Sequence, residues 1–479
     1  MKTGDNDMKS KYQFVQRLAA AASALLLVGG TLTAFAKGHV PFYKRPTPAT
    51  WCANRCDAVV TDWSAAAVQI IKAADGYADP MAASRSLAIM HLAMHDAVNA
   101  ARPKYARYAL DTLPASANKA DATVAAAVAA HDVLARLYPQ SQVAPLLKAE
   151  LEKTLLEAGV GASIDAGKTL GQAAAAAVLA ARENDGSGQV EPFANGTRPG
   201  EYRFTAPFEF AAAPHWRHVT PFALSSPAQF RTAAPPALGS EEYAQAFDEV
   251  VRVGGKTADA ERSADETQYA AFWYEFSDIG WNRIARTVSS GVKQDLWNRA
   301  RTFALLNMAM ADAYIAGWDS KYFHNFWRPV TAIQRAATDG NPNTAPDPAF
   351  EPLLVTPPVP DMPSTHSALG MAAAVVLSDA FGRDRAFSFA SSSALPQNPV
   401  RRYRSFTEAA LENADSRVKA GLHFRFAVDA GLTLGRQVGE HVVRQALPHG
   451  ASGSTSLQAR RAGVQSRGAT KPASDTSLN

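Results

Sequence analysis

Only two of the 479 residues are cysteines, Cys52 and Cys56. So few thiols cannot staple a scaffold. A pairing between them, in an oxidising compartment, would close a small loop and contribute about 2 kcal/mol at most. Free thiols are the other reading, because two thiols without nearby histidines make a poor metal-ligand set. A dominant charge is missing too. Lys and Arg outnumber Asp and Glu by 48 to 44, a net charge of +4, too little to argue for nucleic acid or an anionic membrane surface as partner. No apolar run beyond the N-terminal segment is long enough to cross a bilayer. No segment shows convincing strand periodicity, and no short-period repeat is visible. Two motifs fall short of their templates. Gly254-Gly255-Lys256 lacks the spacing of a phosphate loop and reads as a turn. His91 and His95 lack the glutamate of a metalloprotease helix and read as packed residues.

What is present begins with an export signal. Lys9, Lys11 and Arg17 precede an apolar stretch from 18 to about 32, and Ala34-Phe35-Ala36 offers a cleavage site. Residues 1–36 therefore read as a signal peptide, and the mature protein as periplasmic or secreted. An uncleaved anchor is the alternative, with a stretch that is short for a span. Arg17 stands alone, so a twin-arginine route has no support.

The mature chain reads as helix. Apolar spacing predicts helices over 81–101, 120–138, 145–158, 163–184, 240–253, 264–276, 286–319, 364–381 and 406–446, the last broken near Gly421. Between 185 and 238 lies an irregular stretch rich in Pro, Gly and aromatics, too long for an idle connection. The fold class expected is all-α, with two packed four-helix-bundle-like halves. The first half, 37–238, holds the N-terminal bundle and the long loop. The second, 239–447, holds the C-terminal bundle and the candidate site. Residues 448–479 are polar and basic and read as a disordered tail.

Three blocks carry chemistry. In the first, Lys321 and Arg328 are seven residues apart, flanked by Trp318, Tyr322, Phe323, Phe326 and Trp327. Helical spacing would put both cations on one face, with the helix ending at Arg328 because Pro329 follows. The alternative is a solvated basic face. In the second, Ser364 caps a buried helix with Thr365 and His366 in its first turn. A helix N-terminus suits an oxyanion, and a histidine there can exchange a proton with it. In the third, Arg417 adds a planar donor fork, Gly421 permits close approach, and His423 follows. Singly, each block has a bland reading. Together they supply three cations, neutral donors and two histidines. That set suits a highly charged oxyanion and does not suit a divalent cation.

In this order, Lys-x6-Arg-Pro, Pro-Ser-x-His and Ser-Arg-x5-His resemble the signature blocks of the vanadium haloperoxidase and type 2 phosphatidic acid phosphatase superfamily. Trp318 before the lysine, the context from Asn307 to Asp312, Asp62-Trp63, and the stretch from Met90 to Asn99 are similar to its vanadium chloroperoxidase branch. The resemblance covers roughly 60–445. It implies a nearly all-helical fold of two four-helix bundles. It also implies vanadate as cofactor, with phosphate as its analogue. Lys321, Arg328 and Arg417 would hold the equatorial oxygens, joined by Ser364 and the backbone of Thr365. His366 would be the acid–base residue, and His423 the vanadium ligand or, with phosphate, the nucleophile.

The reaction so implied is halide oxidation by hydrogen peroxide to hypohalous acid, which halogenates an organic acceptor. The alternative is an exported acid phosphatase acting on a phosphate ester. Three positions depart from the branch. Thr365 replaces glycine, Val359 replaces a phenylalanine, and Ala427 stands where an aspartate is frequent. Val359 puts chloride oxidation in doubt. Ala427 means that a carboxylate behind the histidines must come from elsewhere, with Glu275 and Asp278 as candidates.

Overall fold

The structure is a computed structural model that describes residues 58–257, 260–392 and 399–450. The signal sequence, Cys52, Cys56 and the tail beyond 450 lie outside the described residues. Five helices form the first group: α1 (Ala58–Ala73), α2 (Pro80–Ala101), α3 (Ala122–Leu137), α4 (Ala144–Ala158) and α5 (Ala162–Ala181). Helix α2 starts where Asp79 accepts the Ala82 N–H and Pro80 opens the first turn. It is buried along nearly its whole length. Small residues let its neighbours close up. A side chain at Gly167 or Gly171 of α5 would collide with the α3 side, at the carbonyls of Asp121 and Ala125. No helix among the described residues is long and apolar enough to cross a membrane.

The irregular stretch is real, and it is tied down. Asp312 accepts the N–H groups of Phe222, Ala223 and Leu224 at 2.6–3.0 Å. Arg231 forms a two-pronged pair with Asp319 at 2.7 Å. The buried Asp312 carboxylate thus satisfies backbone donors that a loop would otherwise leave unpaired.

The second group comprises α6 (Glu241–Gly254), α7 (Ala264–Phe272), α8 (Ser277–Ser290), α9 (Leu296–His324), the short α10 (Pro329–Gln334), α11 (Thr365–Phe381), α12 (Phe406–Lys419) and α13 (Arg425–Gln445). Helix α9 is the spine of the molecule, packing on α2 on one side and on α11 and α13 on the other. One apolar core runs from Val59 to Leu447. A second gathers Tyr243, Phe326, Trp327 and Phe424 under the site.

Several boundaries differ from the sequence expectation. The helix expected over 264–276 ends at Phe272. The one expected over 286–319 is two helices, α8 and α9, because Gly291 ends the first and Asp295 caps the second. Buried Asn282 and Asn307 then tie the two together, donating to each other at 2.8 and 3.0 Å. Helix α1 was not expected. A two-stranded antiparallel hairpin, β1 (Phe387–Ala390) with β2 (Val400–Tyr403), stands where no strand was expected. Its aromatic residues Phe387, Phe389 and Tyr403 form one contacting cluster, joined by Phe406. The break near Gly421 is present, at a positive φ of 75°.

Candidate active site

The first block is built by a helix end. Helix α9 stops at Asn325, whose left-handed backbone (φ 51°, ψ 36°) sends its N–H back to the Lys321 carbonyl at 2.8 Å. The chain then runs extended, and Arg328 becomes the N-cap residue of α10 with Pro329 at its first position. This corrects the expected geometry. Lys321 and Arg328 do not share a helical face; one projects from the last turn of α9 and the other from the extended segment after it.

Both cations meet the turn that precedes α11. Lys321 Nζ donates to the carbonyls of Pro360 (2.7 Å) and Asp361 (2.9 Å). Arg328 Nε donates to Val359 O at 2.7 Å, and its Nη1 donates to Leu422 O at 2.8 Å and to His423 Nε2 at 3.0 Å. Arg417 comes from the last turn of α12. Its Nη1 donates to Trp273 O at 3.0 Å, and its guanidinium lies 5.7 Å from the Tyr274 ring centre. All three cations are buried.

Ser364 is the N-cap of α11, as the sequence indicated. Its hydroxyl accepts the Ser367 N–H and hydroxyl at 3.4 and 2.9 Å. The first-turn N–H groups, that of Thr365 included, point out of the helix end. His366 is half-buried, with Nε2 3.2 Å from Glu275 O. His423 is buried behind Arg328, between Gly421 and α13. Gly421 has to be glycine on two counts: its φ is positive, and a side chain would collide with the Gly254 backbone.

One residue of the site was not anticipated. Asp361, fully buried, places Oδ1 2.8 Å from His423 Nδ1 and 3.7 Å from Arg328 Nη1. Glu275 and Asp278 do not fill that role. The Glu275 carboxylate is occupied by Arg283 and Ser392, and Asp278 faces Tyr77. The available signal was an acidic residue in a Pro-rich turn, which is common and carries no mark of its partner. Ala427 is buried against the site and gives its carbonyl to the Ser364 N–H at 2.7 Å. His91 packs 5.3 Å from the Phe303 ring, and His95 Nε2 lies 3.0 Å from Ala106 O.

These groups share one field. Burial, then Arg328, pushes Lys321 well below the usual lysine range. Burial pushes Arg417 down to about 10. Burial, followed by Arg328, Lys321, Arg417 and His366, holds His423 well below the usual imidazole range. His366 is held down by burial and then Arg417. Burial pushes Asp361 up to about 7, while Arg328, Lys321 and the Phe424 N–H pull it back. Three buried cations thus face one carboxylate and two neutral imidazoles. Uncompensated buried charge is costly, and an oxyanion of high charge relieves it. The donor set therefore fits vanadate or phosphate.

Residues 301–450 match the family model of the VCPO second helical-bundle domain. The chain is 27% identical to vanadium chloroperoxidase of Curvularia inaequalis, over 72% of this chain and 74% of that protein. A bacterial vanadium-dependent iodoperoxidase crystal structure superimposes with a TM-score of 0.68 at 28% identity, covering 82% of this chain and 96% of that one. A bacterial vanadium-dependent chloroperoxidase shares the fold, with a TM-score of 0.59 at 18% identity over 76% of this chain and 92% of that one. By sequence and by fold, the chain is similar to vanadium haloperoxidases, and its residues 301–450 match the second helical-bundle domain of that group.

Proposed function

We propose that this protein is a vanadate-dependent haloperoxidase that oxidises halide with hydrogen peroxide to hypohalous acid, which passes to an organic acceptor. The observation that carries the reading is the trio of buried cations whose charges act on His423, Arg328 Nη1 lying 3.0 Å from its Nε2, with the Asp361 carboxylate opposed to them. Bound vanadate would supply a Lewis-acidic centre that activates peroxide toward the halide. Lys321, Arg328 and Arg417 would hold its oxygens, with the Ser364 cap and the Thr365 N–H beside them. His423 would bond it through Nε2. His366 is neutral at ordinary pH, so it can take a proton and return it at the rim of the site. A fixed array of donors in a dry pocket stabilises charge without reorganising, which is where most of the acceleration would arise. Val359, smaller than the phenylalanine of the chloroperoxidase branch, and the kinship with an iodoperoxidase favour iodide or bromide over chloride. The N-terminal signal supports export, to the periplasm or the medium.

A second reading is an exported acid phosphatase. It draws support from the Asp361–His423 contact, which would orient a nucleophilic histidine, with His366 protonating the leaving oxygen. One purified sample decides between them. With orthovanadate and peroxide it should halogenate a phenol indicator, and it should leave p-nitrophenyl phosphate intact. Ester hydrolysis blocked by orthovanadate would reverse the assignment. His423→Ala should abolish turnover with the fold unchanged by circular dichroism; retained turnover would mean the site is wrongly assigned.

A further inference from the structure

Position 427, where a carboxylate would stand behind the histidine, holds a buried alanine. A carboxylate reaches that histidine from the opposite wall instead. Asp361 belongs to the turn before α11; its N–H and carbonyl are hydrogen-bonded within the site, and its carboxylate faces His423. Its N–H donates to Phe326 O at 2.9 Å, in the segment that carries Arg328. Its carbonyl accepts from Lys321 Nζ at 2.9 Å. Its Oδ1 lies 2.8 Å from His423 Nδ1.

The other edge of the ring fixes the protonation pattern. Arg328 Nη1 lies 3.0 Å from His423 Nε2 and 3.4 Å from Nδ1, and a guanidinium only donates. Nε2 is the nearer of the two and has no carboxylate beside it, so it is the nitrogen that offers its lone pair. A neutral imidazole has one proton, so that proton sits on Nδ1, facing Asp361. A neutral carboxylic acid that donated to Nδ1 would leave no proton on the ring, so Asp361 is the acceptor.

We propose that Asp361 is a positioning residue for the anion site, one that pins the His423 proton on Nδ1 and keeps the Nε2 lone pair turned into the cationic cradle. The proposal rests on reading His423 as the group that bonds the anion. It goes further in saying what makes that nitrogen available. An imidazole free to exchange tautomers would present an N–H to the anion for part of the time. A carboxylate placed 2.8 Å from the far nitrogen disfavours that form and raises the basicity of the ring. The ionised carboxylate also sets the charge to be matched. With Lys321, Arg328 and Arg417 it leaves a surplus that a dianion neutralises.

The test is spectroscopic first. Histidine labelled with 15N is incorporated into the full-length protein, and the His423 resonances are assigned by their loss in His423→Gln. The wild type should show a protonated Nδ1 and an unprotonated Nε2. Asp361→Ala should move the ring toward the Nε2–H form or into exchange. Asp361→Asn keeps the volume and an accepting oxygen but loses the charge, so it should fall between. In equilibrium dialysis the alanine variant should bind orthovanadate about 10- to 100-fold more weakly, with a smaller loss for asparagine. A proton on Nε2 in the wild type would overturn the proposal. So would an alanine variant with unchanged tautomer and unchanged affinity. If the wild type bound neither orthovanadate nor phosphate, the function proposed above would fall, while the tautomer comparison would still decide the role of Asp361.

Discussion

Arg328 does more at the residue scale than supply charge. One guanidinium holds three partners on two separate pieces of chain: Val359 O through Nε, and Leu422 O and His423 Nε2 through Nη1. A lysine keeps the charge but has a single nitrogen on a flexible stem, so it cannot hold both carbonyls at these angles. A lost charge-assisted hydrogen bond to a buried partner costs about 1.5–3 kcal/mol. Arg328→Lys should therefore weaken orthovanadate binding by about 10- to 100-fold, measured by equilibrium dialysis. Arg417→Lys should lose less, since that side chain holds a single backbone carbonyl, Trp273 O, and otherwise lies over Tyr274. If the two lysine variants bind equally well, the bridging geometry of Arg328 is unimportant and only its charge counts.

At the scale of elements, the site depends on how closely α13 lies on α11. Gly431, Gly435 and Gly439 form a stripe at four-residue spacing, so they share one face of α13. A side chain at Gly431 would strike the Ser364 carbonyl, and one at Gly435 the Ala368 carbonyl. The stripe thus sets the position of the first turn of α11, where Ser364, Thr365 and His366 sit. Gly435→Leu should destabilise the protein by about 1–3 kcal/mol through overpacking and should weaken orthovanadate binding, although the residue lies outside the cradle. Gln437→Ala, on the exposed face of the same helix, should stay within about 0.5 kcal/mol. Urea melts of both variants, with and without orthovanadate, check this. A Gly435→Leu protein with wild-type stability and binding would show that α11 does not need the close approach.

Across the whole molecule, what could be read from the chain was whatever leaves a local mark. Pro329, the Ser364 cap and Gly421 announce element ends, and the structure gathers the three blocks there. The end of α9 was misjudged by four residues because Asn325 adopts a left-handed turn that its neighbours do not announce. Asp361 was missed because its partner, His423, is distant in sequence. The hairpin was missed because its strands have only four residues each, too few for a period to show. Buried carboxylates are likewise silent in sequence, and Asp278 has a consequence for stability. It lies in the first turn of α8, where the helix dipole favours an anion. Burial outweighs that and pushes it up to about 7, from an ordinary value of 3.8, with the Asp278 N–H, Tyr77 and the Ile279 N–H pulling the other way. Folding therefore takes up a proton between these two values. The stability that this protonated group contributes is complete below about pH 4 and is lost as pH rises through about 7, a change on the order of a few kcal/mol. Asp278→Asn, which cannot ionise, should be more stable than the wild type at pH 8, and the gap should shrink steadily towards pH 5. Urea unfolding of both proteins at several pH values gives the comparison, and a gap that does not change with pH would mean that Asp278 carries the same charge folded and unfolded.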